Sequence, residues 1–207
     1  MTDVLILCTA NVCRSVLAQA LLASRLAVLE PAARVRSAGL LPGGEPPLPE
    51  VIRELRGRGL DVAAHRSRQV GADDLAGADL VLTATREQLR HAVVTLPRAW
   101  PRSFTIKELV RRGDRVGPRT AGQPLADWLA LAHQGRDRAA LMGASPEDDI
   151  ADPAGGPPRA YAATAGQLDV LCDRLARLAW AAASPATRPR DPPRPPGLRP
   201  GNPPRTA

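Results

Sequence analysis

Val4-Leu5-Ile6-Leu7-Cys8-Thr9-Ala10-Asn11-Val12-Cys13-Arg14-Ser15 leads directly into Val16-Leu17-Ala18-Gln19-Ala20-Leu21-Leu22. Four consecutive apolar residues, Val4 to Leu7, form the short uninterrupted run of a strand buried on both faces. Val16 to Leu26 is rich in Ala and Leu and holds neither Gly nor Pro, the composition of a helix. The polar segment between them opens with a thiol and closes with a guanidinium and a hydroxyl. A loop passing from a strand into a helix aims several backbone N–H groups at one point. The helix N-terminus adds partial positive charge there, which suits a phosphate dianion. Arg14 supplies a planar fork for two phosphate oxygens, and Cys8 is placed as a thiolate for in-line attack on phosphorus.

The spacing C-x5-R is weak evidence by itself. With three cysteines in an arginine-rich chain, such a pair arises by chance roughly a third of the time. On spacing alone Cys8 reads as a small buried residue at a strand end. The strand before it, the helix after it, and Asn11 and Ser15 within the loop weigh towards the phosphate site.

Cys8 to Ser15 resembles the phosphate loop of the low-molecular-weight protein tyrosine phosphatases, which follows a first strand close to the N-terminus. Other C-x5-R phosphatase families set this loop deep in the chain, usually after a His, whereas Leu7 precedes it here. The resemblance implies that Cys8 is the nucleophile and that Arg14 clamps the phosphoryl group. Thr9, Ala10, Asn11, Val12, Cys13, Arg14 and Ser15 would form the phosphate cradle. Asn11 would hold the loop's shape, and Ser15 would hydrogen-bond the sulfur.

Two further segments match by motif. Ser37-Ala38-Gly39 resembles the family's Ser-Ala-Gly after the second strand, and Gly59-Leu60-Asp61 with His65-Arg66-Ser67-Arg68 resembles its Gly-x-Asp and His-x-x-Arg segment. Ser37 and His65 would support the loop through hydrogen bonds, although His65 also reads as an ordinary loop histidine. The resemblance runs from about Val4 to Ala182, with 111–148 the least matched stretch and a candidate insertion.

The family implies an Asp-Pro general acid far downstream, and Asp148-Asp149-Ile150-Ala151-Asp152-Pro153 supplies one. Pro153 favours an extended Asp152, suited to holding a carboxyl over a site. Asp148 and Asp149 are rivals by proximity without a following Pro. The implied chemistry is two-step: a cysteinyl-phosphate forms as Asp152 protonates the leaving oxygen, and water then hydrolyses it with Asp152 as base. Arg14 and the loop amides carry the transition-state charge, so neither a metal nor another cofactor is expected, and the cysteines and histidines show no zinc spacing. Cys13 reads either as a small loop filler or, by the resemblance, as a reversible disulfide partner of Cys8.

Some residues depart from the family pattern. Ala10 stands where Gly is common, which requires a negative φ. Val16 replaces the usual Pro at the helix start. Ala154-Gly155-Gly156 follows Asp152-Pro153 where tyrosine-specific members carry aromatics, and no Trp follows Gly39. The principal reading is a protein tyrosine phosphatase, with a phosphoarginine phosphatase as the alternative. Members of that second group tend to carry Thr where Val12 stands. A thioredoxin-coupled arsenate reductase needs two more downstream cysteines, yet 14 to 171 holds none. A non-catalytic phosphate-binding protein would have no use for Cys8, Arg14 and Asp152 together.

The 207 residues suffice for one domain, placed at 1–183, and a Pro/Arg-rich tail at 184–207 that is expected to be disordered. Much of the net charge of +7 lies in that tail, where five arginines face one aspartate. This reads as a solvated extension without the interleaved aromatics of a nucleic-acid platform. Three cysteines make no disulfide framework, and Met1-Thr2-Asp3 leaves no room for a leader before the first strand. The expectation is a cytoplasmic enzyme acting on a phosphorylated protein or small aryl phosphate, with neither nucleic acid nor membrane as partner.

Arg34 to Gly39, Ala78 to Ala84 and Ser103 to Ile106 read as further strands. Helices are expected over Glu50–Arg58 and Arg86–Val94, with one turn through Leu109, a polar loop from Arg111 to Gly122 and a helix over Pro124–Leu141. A last amphipathic helix spans Leu168–Trp180, with Leu168, Leu171, Leu175 and Leu178 on one stripe. Alternating strands and helices predict an α/β single domain with a four-stranded parallel sheet flanked by helices, like phosphotyrosine protein phosphatase I.

Overall fold

The structure, a computed structural model, describes residues 1–181. The stretch expected to be a disordered tail lies outside the described residues. Strands β1 (Asp3–Cys8), β2 (Arg34–Gly39), β3 (Leu80–Thr83) and β4 (Ser103–Thr105) form one parallel sheet in the order β2-β1-β3-β4. Because the chain steps from β1 to β2 on one side and to β3 on the other, a crevice opens above the C-terminal end of β1. In register, Cys8 lies opposite Gly39 and Leu7 opposite Thr83.

Strand parity decides what Cys8 faces. Val4, Ile6 and Cys8 join the larger core, packed by helices α1 (Arg14–Leu29), α2 (Pro49–Arg56), α5 (Ile106–Val116), α6 (Leu125–His133) and α7 (Pro158–Ala179). Leu5 and Leu7 point the other way, onto Leu75 of α3 (Ala72–Gly77) and Ala92 of α4 (Arg86–Thr95). The apolar run of β1 is thus buried on both faces, as its sequence predicts.

Beyond residue 106 the elements differ from the expectation. The turn ending at Leu109 is the start of α5, which continues to Val116, so the polar loop expected from Arg111 begins only at Gly117. Gly113, a poor helix residue, is buried there because neighbouring helices come very close. A Cβ would lie 2.9 Å from Trp128 Cζ2 and 3.0 Å from Leu178 Cδ1. The helix expected over 124–141 divides into α6 and a 3₁₀ turn at Arg138–Leu141, broken at Gly135 with φ +70°. Helix α7 begins at Pro158, ten residues before Leu168, with the proline in the first turn where its missing N–H costs nothing. The short α3 was not anticipated.

Residue Arg136 pins this part of the chain. Its side chain is 1% exposed and pairs with Glu108 through Nε and Nη2 at 2.8 and 2.9 Å. The guanidinium lies 3.6 Å from the Trp100 ring centroid and 4.0 Å from that of Phe104. It also donates to the carbonyls of Trp100 and Ser103. Removing only the carboxylate strands a buried cation, so Glu108→Leu should cost about 3–5 kcal/mol of unfolding free energy in a denaturant titration. The Glu108→Leu/Arg136→Met double variant should recover most of that loss.

Candidate active site

Between β1 and α1, residues 9–13 form an irregular loop whose turn is made by Asn11 at φ +56°, the only non-glycine with positive φ among the described residues. Asn tolerates this left-handed backbone better than most residues. Ala10, where the family often has Gly, needs no such conformation, so its methyl group is accommodated. No side chain caps the N-terminus of α1 and no acid lies in its first turn. Its leading N–H groups therefore remain directed at whatever anion the loop receives.

The Asn11 side chain is fully buried and fixes the loop from three directions. Nδ2 donates to Ser15 Oγ at 2.9 Å and to Ser37 Oγ at 2.8 Å, while Oδ1 accepts the Arg68 backbone N–H at 3.1 Å. Its backbone carbonyl lies 2.9 Å from His65 Nε2, which must donate. The hydrogens can then be allocated one by one. Ser37 passes its own hydrogen to Gln19 Oε1 at 2.5 Å. Ser15, already accepting from Asn11, lies 3.0 Å from Cys8 Sγ and can give its hydroxyl hydrogen to that sulfur whenever it carries no proton of its own. The Asn11 N–H reaches the same sulfur at 3.3 Å.

Gly39 sits against this loop for want of space. A Cβ there would meet Thr9 O at 2.7 Å and Asn11 N at 2.9 Å, both backbone atoms. The next residues grip the loop, with Leu40 and Leu41 N–H donating to Thr9 O and Leu48 N–H donating to Val12 O.

Arg14 is 6% exposed and spans the crevice. Nη1 donates to Ile150 O at 3.2 Å, and Nη2 donates to Asp152 Oδ2 at 2.6 Å and Thr9 Oγ1 at 3.4 Å. Its Nε is buried without a partner, a donor left over for an oxygen in the cradle. Cys8, Ala10, Val12, Cys13, Arg14, Asp152 and Ala154 line one small cavity of about 40 Å³. The residues expected to form the cradle and its support therefore meet Asp152, either at this cavity or in the network behind it.

The two rivals of Asp152 are engaged elsewhere. Asp148 is buried against Arg86 and Arg111, and Asp149 accepts from the backbone of Arg86 and Ser145. Asp152, by contrast, is 46% exposed at the cavity mouth. Burial, with Asp152 and Cys8 nearby, pushes the Cys13 thiol up to about 12, and burial likewise raises Cys172 to about 12. Among the described residues no cluster of His, Cys, Asp and Glu could hold a metal ion.

Two contributors were not found in the sequence. Gln88 donates to Thr9 Oγ1 at 3.2 Å while its Oε1 accepts the N–H groups of Ala84 and Thr85. The Thr85-x-x-Gln88 capping box is its sequence signal. Gln19, which orients Ser37, lies one helical turn after Ser15, so the i, i+4 rule places both on one face.

Comparison with known proteins bears on this arrangement. A family model described as low molecular weight phosphotyrosine protein phosphatase matches residues 3–115. A protein-arginine-phosphatase from Geobacillus stearothermophilus is 30% identical over 174 residues, 84% of this chain and 93% of its own. The crystal structure of a low molecular weight protein tyrosine phosphatase from T. tengcongensis aligns with a TM-score of 0.64 at 29% identity, covering 84% of this chain and 97% of that one. A YwlE arginine phosphatase, a cysteine-to-serine variant with a phosphorylated active-site serine, aligns with a TM-score of 0.63 at 25% identity, covering 84% and 93%.

Two outcomes follow for the cradle. Gly39→Ala overpacks backbone by ~1–3 kcal/mol, so phosphate affinity in calorimetry should fall roughly tenfold while far-UV circular dichroism is kept. Cys13 and Cys172, held as thiols and buried, should stay unmodified by iodoacetamide at neutral pH in peptide mapping of the native protein.

Proposed function

The chain belongs to the low molecular weight phosphotyrosine protein phosphatase family, and we propose that it hydrolyses phosphate monoesters of proteins, phosphotyrosine first, through a cysteinyl-phosphate. The observation that carries this reading is the single cavity walled by Cys8, Arg14 and Asp152. The cytoplasm is the proposed setting. Among the described residues no helix is long and apolar enough to cross a membrane.

In the first step the phosphate dianion enters the cradle and takes hydrogen bonds from the loop amides and from Arg14, including the unpartnered Nε. The phosphate oxygens compete with Asp152 for Arg14 Nη2, which frees the carboxyl to turn towards the leaving oxygen. Cys8 Sγ attacks phosphorus, the phosphorus–oxygen bond to the substrate breaks, and the Asp152 proton passes to the departing oxygen. In the second step Asp152 takes a proton from water as its oxygen attacks phosphorus. The sulfur–phosphorus bond breaks and phosphate leaves. Ser15 donates to the sulfur as it departs. The phosphorylated serine of the YwlE variant supports phosphoryl transfer to the residue at this position.

A second reading, phosphoarginine hydrolysis, is favoured by one specific observation: a relative named an arginine phosphatase matches nearly its whole length. The mouth agrees with either, because Ala154 rather than an aromatic ring forms its wall. Val12, apolar and β-branched, faces the cavity and supports the aryl phosphate.

Cys8→Ser should abolish p-nitrophenyl phosphate hydrolysis, and Asp152→Ala should slow phenyl phosphate by about 10²–10⁴-fold. Matched phosphotyrosine and phosphoarginine peptides should be separated by kcat/KM in favour of tyrosine. The reverse order would establish the second reading, and turnover unchanged in Cys8→Ser would remove the mechanism.

A further inference from the structure

The segment that presents Asp152 has neither helix nor strand between Met142 and Pro157, yet a proton donor must be held to a fraction of an ångström. What holds it is a set of cations on the helices behind. Asp148, four residues before Asp152, is 5% exposed; its Oδ2 accepts Arg86 Nε at 2.8 Å and lies 2.6 Å from Arg86 Nη2, while its Oδ1 makes an ion pair with Arg111 Nη2 at 2.8 Å. Arg86 opens α4, and Arg111 lies midway along α5. Lys107, the only lysine of the chain, donates Nζ to the carbonyls of Pro146 and Asp149. Asp149 closes the turn, accepting the backbone N–H groups of Arg86 at 2.7 Å and Ser145 at 2.9 Å.

From there the chain is tied to the cradle itself. Ile150 N–H donates to Ala84 O at 2.8 Å, and Ile150 O accepts from Arg14 Nη1 at 3.2 Å. Asp148 is thus the one buried charge in a stretch that ends, two residues beyond Ile150, at the carboxyl that lines the same cavity as Cys8. Burial alone would raise its proton affinity, but Arg111 and Arg86 outweigh that and hold the carboxyl below the usual range. It therefore serves as a fixed anion and cannot itself deliver a proton at neutral pH.

We propose that Asp148 is a positioning residue for proton transfer: clamped between Arg86 and Arg111, it fixes the segment so that Asp152 reaches the leaving oxygen. The inference rests on Asp152 being the general acid. It assigns Asp148 no contact with substrate.

The test compares kcat/KM, which reports only steps up to the first irreversible one, for phenyl phosphate and p-nitrophenyl phosphate. Phenol is a basic leaving group that needs the proton, whereas p-nitrophenol leaves largely without it. Asp148→Asn keeps the shape and removes the charge. It should lower phenyl phosphate roughly tenfold, part of the range for full loss of an acid, and p-nitrophenyl phosphate by less than about threefold. Inhibition by inorganic phosphate should stay within about twofold, since the cradle is untouched.

An equal fall for both substrates, weakened phosphate inhibition, or no fall at all would overturn the proposal. Should Asp148→Asn not fold, Arg111→Gln, which leaves the Arg86 pair, should give the same selectivity at smaller amplitude. Its absence there would count equally against the proposal. Asp152→Ala separates the two readings. If it is selective for phenyl phosphate while Asp148→Asn is not, only the positioning role fails. If Asp152→Ala is itself unselective, the general-acid assignment falls and the positioning role with it.

Discussion

A buried amide in a left-handed turn is the constraint on which the rest depends. Asn11 must hold φ +56° and satisfy both ends of its side chain away from water, and it does so by drawing together α1, β2 and the 65–68 segment. A buried polar group left unpaired costs about 1–3 kcal/mol. Each partner it recruits therefore also stabilises the strained loop. The same bonds hold the Ser15 hydroxyl 3.0 Å from the Cys8 sulfur, so the network that shapes the loop also places a polar group on that sulfur.

The fold supplies the other coordinates. Strand parity puts Cys8 on the α1 face at the end of β1, and parallel strands bring Gly39 opposite it. Only a residue without Cβ fits between β2 and the loop, so Gly39 is explained by close approach rather than by an unusual backbone angle. Asp152, 138 residues after Arg14, arrives through tethers at Asp148, Asp149 and Ile150.

The sequence carries this arrangement unevenly. The first strand, its loop and α1 are legible because an apolar run, a polar break and an Ala/Leu helix follow in order, and β2 falls at its expected bounds, Arg34–Gly39. Reading fails where tertiary contacts override local signals. Gly113 falls within the expected polar loop from Arg111 to Gly122, yet it lies inside α5, where Trp128 and Leu178 leave room for nothing larger. The leucine stripe marks the last helix only from Leu168, whereas α7 starts ten residues earlier at Pro158, a proline harmless in a first turn. Asp152 could be picked out by its proline. The roles of Asp148 and Asp149 could not, since Arg86, Lys107 and Arg111 lie some 40 to 60 residues away.

Every ion pair described above uses arginine as its cation: Arg14 with Asp152, Arg136 with Glu108, Arg86 and Arg111 with Asp148. A guanidinium keeps its charge through any alkalinity a folded protein ordinarily meets. For Asp148, whose folded carboxyl ionises below its unfolded value, the contribution is fully present above the unfolded value and drains away as acidity increases through the folded one. The clamp at Asp148 is thus loosened by acid, from its carboxylate side.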